Sequence, residues 1–373
     1  KRGCGHLSPF VPQSCQGHEQ HTACVALRRE CWSFSLKGYW SLDTRRRKLV
    51  DRRNLLHGMG ALGTAGAIAA AGLSQHAKAA AGAALTGSAL KGPYLDLTTG
   101  AGNKVAWARL HSDIDPSKQK HSWFRGYVMA ARPDEPLQDL FGFEGLSTAR
   151  IQIQKDGSYL KLLREVGLYT DLKTGEVLEK WHNPFLDEDV KVVPIANDPF
   201  NFVITEFGQG DPMNAGRGGD RKPFHLPWRQ RGDWLDLEDH VHLRYPNSLE
   251  PEKWVRESSG PEVIASEMTV YHVRAAAMQD KDITGLSWFG TWGRRTPWLP
   301  WMLMGTAPGF CLYSAMVGSG EDLEQVHSRK TLDYVEKHYP KFLQAPADWD
   351  GKPNRSSLEN YAVQQQPAAA KNK

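Results

Sequence analysis

The stretch "TARIQIQKDGSYLKLLREVGLYTDLKTGEVLEKWHN", residues 148–183, decides the fold. Ile151 and Ile153 alternate with polar residues, and Lys155-Asp156-Gly157 supplies a tight turn. A long strand-like run then reaches Tyr169, and a second turn follows at Asp171 to Gly175. Apolar alternation broken by Asp-Gly and Gly turns is a hairpin signal.

The same pattern extends in both directions. Segments 122–132, 189–195, 201–207, 224–230, 233–245, 263–274, 285–293 and 309–317 read as further strands. A short helix is expected over 103–114, stopped by Asp115-Pro116. A longer one is expected over 321–339, where Leu323, Val326, Leu332, Val335 and Tyr339 fall near helical spacing. Residues 208–222, "GQGDPMNAGRGGDRK", read as a polar, Gly-rich loop. About a dozen strands in one meander exclude a βαβ architecture. The expected fold is mainly β: a single antiparallel β-barrel or strongly curved sheet over residues 80–345, with a short N-terminal and a longer C-terminal helix. The polar tail, 346–373, is expected to be disordered.

The N-terminal quarter differs. Gly58, Gly60 and Gly63 spell a G-x-G-x-x-G pattern. The preceding "DRRNLLH" is charged rather than strand-like, and no acid follows at ribose-binding distance, so no nicotinamide cofactor is expected. Arg52 and Arg53 precede a weakly apolar run that ends at Ala77-Lys78-Ala79. A basic start, an apolar middle and a small-x-small end make a signal peptide over 50–79, cleaved after Ala79. The Arg pair points to the twin-arginine (Tat) route, hence a translocon partner and a periplasmic destination. Residues 1–49 hold four of the five cysteines without C-x₂-C spacing. They are expected to be disordered or an artefact upstream of a true start at Leu49 or Val50, rather than a zinc head.

Residues 80–373 carry a net charge of about −4, where the whole chain carries +4. Without a basic stripe, nucleic acid is not an expected partner. No membrane span is expected in the mature chain. Cys311, in "GFCLYSAMV", reads as a small buried hydrophobe.

Three clusters could carry chemistry. "WFGTWGRRTPWLPWMLMGTAPG" (288–309) offers Trp292, Trp298, Trp301, Met302 and Met304 as an apolar wall, with Arg294 and Arg295 for an anionic end. It reads either as a pocket for a small hydrophobic or aromatic ligand or as a plug. His240 and His242 share a strand face. They read as solvated, as acid/base groups, or as half of a metal site completed by His272 or Glu267. On the third cluster, "LLREVGLYTD", Glu165 and Tyr169 share the face opposite Arg164, Val166 and Leu168. They form an acid/base site if that face is interior.

The segments "LFGFEGLS", "YTDLKTGEVLEKWHNPF", "VVPIANDPFN" and "TPWLPWMLMGTAPG", behind the export signal, resemble a family of exported bacterial proteins classed as a domain of unknown function, number 1838. The resemblance implies one continuous domain and brings no catalytic residues. The expected function is a cofactor-independent acid/base enzyme, a lyase, isomerase or hydrolase. The alternatives are a hydrophobic-ligand carrier and a metal-dependent enzyme.

Overall fold

The computed structural model describes residues 88–213 and 222–369. The expected export signal with Arg52 and Arg53, the expected cleavage point after Ala79, the cysteine-bearing head and part of the Gly-rich loop lie outside the described residues.

Among the described residues thirteen strands are formed: β1 Lys120–Ala131, β2 Gln138–Ile153, β3 Tyr159–Thr170, β4 Lys180–Asn183, β5 Glu188–Lys191, β6 Ile195–Asn197, β7 Phe202–Thr205, β8 Gly208–Gly210, β9 Arg229–Arg231, β10 Trp234–Pro246, β11 Glu262–Arg274, β12 Trp288–Thr296 and β13 Phe310–Ser319. Eleven make one sheet in the order β8-β7-β3-β2-β1-β13-β12-β11-β10-β9, with β6 also on β3, while β4 and β5 form a separate hairpin. All its pairings are antiparallel, in keeping with the hairpin turns of the sequence.

Two expectations are corrected. The sheet is not one meander but two, β1-β2-β3 and β10 to β13, joined where β1 pairs with β13 from Ser122↔Ser319 to Ala131↔Phe310. No barrel closes among the described residues, because the edges β8 and β9 do not pair with each other. Each is only three residues long.

Helix α1, Gly100–His111, sits at this seam. Its Trp107 Nε1 donates to Gln209 Oε1 on β8 (3.0 Å). Its Asn103 donates to the Phe224 carbonyl (3.1 Å) and accepts from Trp228 Nε1 (2.9 Å), just before β9. Thr99 caps the first turn, accepting from the Gly102 N–H. From Ala106 to His111 every residue is buried. The helix thus has no polar stripe, and Arg109 is fully buried within it. Its guanidinium donates to the Ala277, Met278, Asp280 and Ile283 carbonyls at 2.8–2.9 Å, pinning α1 to helix α2, Ala275–Gln279, and the loop after it.

The outer face of β2 and β3 is covered near the C-terminus. Leu146, Val166 and Leu168 pack with Val335 and Phe342. The expected single helix is broken into α3, Leu323–Val326, and α4, Arg329–His338. Ser328 caps α4, accepting from Thr331 N–H, and His327 turns inward to Glu144 (3.3 Å). Within the tail expected to be disordered, residues 357–364 form a helix. Helix α5, Ser357–Gln364, begins with a reciprocal Ser356–Glu359 capping box and seats Tyr361 on Trp254. Among the described residues no helix is long and apolar enough to cross a membrane.

Arg109→Met removes five guanidinium N–H groups from a site with four waiting carbonyls. The Met278 carbonyl is buried and the other three are partly so, so thermal or urea unfolding should show a loss of roughly 3 kcal/mol. An unchanged midpoint would refute the role of Arg109 as the pin of α1.

Candidate functional site

Strand alternation decides which side chains enter the interior. On β3 the inward set includes Lys161, Glu165 and Tyr169; on β12 it is Trp288, Trp292 and Arg294; on β13, Cys311 and Tyr313. Opposing strands meet there. The Tyr169 and Tyr313 hydroxyls lie 3.2 Å apart although their strands are three positions apart in the sheet.

A cavity of about 110 Å³ opens among these groups, lined by Tyr169, Asn197, Trp292, Arg294, Trp301 and Tyr313. Trp298 and Phe200 complete the apolar wall, and α5 supplies another wall through Leu358, Asn360 and Tyr361. Arg294 Nη1 donates to Glu267 Oε1 (2.5 Å), and Trp292 Nε1 reaches Glu267 Oε2 (3.4 Å). Asn197 is a junction. Its Nδ2 donates to Glu165 Oε1 (3.0 Å), while its Oδ1 accepts from Asn360 Nδ2 (3.0 Å) and Ser357 Oγ (3.4 Å) of α5.

Glu165 is fully buried, and its Oε2 has no hydrogen-bond partner. Burial pushes its carboxyl up to about 8. The Asn197 hydrogen bond opposes this, the Glu267 charge adds to it, and Arg294 and Lys161 weaken it. Burial also raises Tyr169 to about 12 and Cys311 to about 12, and holds the Lys161 amine down at about 7. Arg294 stays charged: burial, the largest single influence, lowers it, but Glu267 together with Tyr245, Tyr313 and Tyr169 carries it above its ordinary value. Asp239, inward on β10, is raised to about 6 by burial and by the Glu267 charge.

The sequence candidates separate cleanly. Glu165, Tyr169, Trp292, Arg294, Trp298 and Trp301 are brought to the cavity or its immediate backing. His240 and His242 are not. They lie exposed on the outer face of β10, with His242 Nδ1 on Ser266 Oγ (2.9 Å), because the apolar phase of that strand is Leu235, Leu237 and Leu243. His272 is also outward and paired with Asp236 (2.8 Å). In the strand register it stands opposite Asp236, four residues and roughly 13 Å along β10 from His240, so the three histidines cannot share one ion. Among the described residues no three or more His, Cys, Asp or Glu side chains gather to hold a metal. Arg295 points away from Arg294 and lies over the Phe310 ring (4.3 Å). Met302 and Met304 are packing rather than ligand wall: Met302 Sδ contacts Cys311 Sγ (3.7 Å), and Asn183 Nδ2 donates to the Met302 carbonyl and Met304 Sδ.

Sequence reasoning missed Asn197, Lys161, Asp239 and all of α5. Asp239 and Glu267 were findable: each stands in phase with the apolar residues of its strand.

The sequence profile described as "Protein of unknown function (DUF1838)" matches residues 117–365, more than half of the chain. The chain belongs to that family. The DUF1838 match begins just before β1 and ends just after α5, so it takes in every strand and the cavity wall formed by α5, while α1 precedes it. No curated protein gives a significant match.

Glu165 sets a pH dependence. Its folded-state affinity for a proton exceeds that of the unfolded chain, whose ordinary value is 4.5. Between about pH 4.5 and 8 the folded state therefore holds the extra proton, and stability falls as pH rises through this window. Glu165→Gln should flatten this fall, read as the difference in unfolding midpoint between pH 5 and pH 8. An equal fall in both proteins would remove the assignment.

Proposed function

We propose that this chain is an enzyme acting on a small, largely apolar or aromatic compound by proton transfer, with Glu165 as the acid. The observation that carries this is Glu165 itself: one oxygen is held by cavity-lining Asn197, and the other is buried without a partner. A carboxyl with a proton affinity near 8 is mostly protonated at neutral pH. It can donate to a carbonyl or a leaving group and take the proton back as base. The indoles of Trp292, Trp298 and Trp301 suit an aromatic or branched apolar body. An engineered apolar cavity of about 150 Å³ takes benzene, so about 110 Å³ points to a ligand, or an enclosed part of one, of that order. Arg294 uses Nη1 on Glu267 and keeps its other donors for an oxygen of the ligand. This reading supposes a sheet curled strongly enough to bring β3 and β12 face to face. It needs neither nicotinamide nor metal, the proton moving on the chain's own side chains.

The competing reading, a non-catalytic carrier, draws on the balance of charge: Glu267 already matches Arg294, which suits retention of a weakly polar guest. We also propose export to the periplasm by the Tat route, resting on Arg52-Arg53 and the segment to Ala79. Lysine at both arginines should leave the precursor in the cytoplasm on cell fractionation. Unimpeded export would defeat the Tat assignment.

Benzoate, phenol and toluene serve as probes, read by tryptophan fluorescence. Benzoate should bind, and Arg294→Met should weaken it about tenfold while toluene is unaffected. Infrared difference spectra should show a protonated carboxylic acid that titrates near pH 8 and vanishes in Glu165→Gln. On an identified substrate, Glu165→Gln should lower kcat on the order of 100-fold or more. Full turnover in that variant would remove Glu165 as the acid; no turnover by the wild type with binding intact would leave only the carrier.

A further inference from the structure

We infer that Lys161 is a nucleophilic amine that condenses with a small aldehyde or ketone, with Glu165 as the acid of that step. The second half of this statement rests on the proposed role of Glu165; the first does not. Lys161 is 0% exposed, and its Nζ has no hydrogen-bond or ion-pair partner. A lysine buried for structural reasons looks different in this same molecule. Lys120 Nζ donates to the Arg109, Leu110 and Leu286 carbonyls at 3.0, 2.8 and 2.5 Å, tying the end of α1 to the sheet. An ammonium buried without such acceptors is costly, and the amine form avoids that cost.

Two phenyl rings stand between Lys161 and the cavity. Its Nζ lies 4.7 Å from the ring centroid of Phe202, its cross-strand neighbour. The Phe202 ring meets Phe200 at 4.9 Å, and Phe200 lines the cavity. Glu165 is four residues further along the same inward face of β3, with its own partnerless oxygen beside cavity-lining Asn197. From α1, His111 contributes an imidazole that burial favours in its neutral form. Both its ring nitrogens lack partners, and its ring packs on Trp107 (4.1 Å) and Tyr271 (5.5 Å). An amine, an acid and a base thus carry unused atoms on one interior wall and the helix facing it.

The chemistry balances without an outside reagent. The Lys161 lone pair attacks the carbonyl carbon while the oxygen takes a proton from Glu165. His111 removes a proton from the new ammonium, giving a neutral carbinolamine. The His111 imidazolium returns its proton to the hydroxyl, which leaves as water, and the Glu165 carboxylate takes the remaining N–H proton, leaving the neutral imine C=N bond; hydrolysis reverses the sequence. An amine near 7 and a carboxyl near 8 are both largely neutral between those values, the state this step needs.

The test uses the full chain with benzaldehyde and cyanoborohydride at pH 7.5, followed by peptide mass mapping. Exposed lysines such as Lys155 and Lys180 serve as the solvent-accessible reference. Lys161 should acquire the benzyl adduct at least about tenfold faster than Lys155. Glu165→Gln should slow labelling at Lys161 about tenfold and leave Lys155 unchanged. Lys161→Met, of similar length and apolar, keeps the fold and should lose the fast adduct alone. Lys161 unmodified when Lys155 is saturated overturns the inference, whatever benzoate binding shows. Fast labelling at Lys161 that is indifferent to Glu165→Gln keeps the amine and overturns the acid.

Discussion

An antiparallel sheet that ends on two three-residue strands cannot hydrogen-bond itself shut, and the architecture follows from that constraint. The gap between β8 and β9 is occupied by α1, which bonds toward both edges through Trp107 and Asn103. Because α1 is enclosed on almost every side, its polar side chains must find acceptors inside. Arg109 finds four carbonyls. His111 finds none, and it is there that the interior departs from ordinary core packing.

That interior is neither a dry core nor a solvated channel. Arg294 and Glu267 offset each other as a hydrogen-bonded pair, so a charged guanidinium persists among indoles and phenols. Glu165, Lys161 and Asp239 have no such partner at bonding distance, and desolvation moves each toward its neutral form. Three groups poised between pH 6 and 8 within one hydrophobic enclosure are a costly arrangement for stability alone. The outer face, by contrast, puts its ionic groups in water: Arg244 with Glu262 and Arg229 with Glu238 are exposed pairs of small energetic weight.

Much of this was legible in the sequence. Turns at Asp156-Gly157 and Asp171 to Gly175 gave β2 and β3 their ends, and the strand segments after residue 230 match β10 to β13 within a few residues. The first half of β2 was missed, because "LFGFEGLS" is buried on both faces and shows no alternation. The sheet order escaped too: nothing local says that β1, near residue 122, pairs with β13, near residue 319. On β10 the histidines drew notice by residue type, while the phase of Leu235 and Leu237 pointed instead to Asp239. Helix α5 was read as tail because its flanks are polar, although Ser356 and Glu359 already spelled its capping box.

Asn197 ties the tail helix to the buried acid. A single amide accepts from α5 with one end and donates to the buried carboxyl with the other. That bond favours the ionised form of Glu165, against a burial that favours the proton. One substitution at residue 197 would therefore reach the seating of α5 and the proton affinity of Glu165 together.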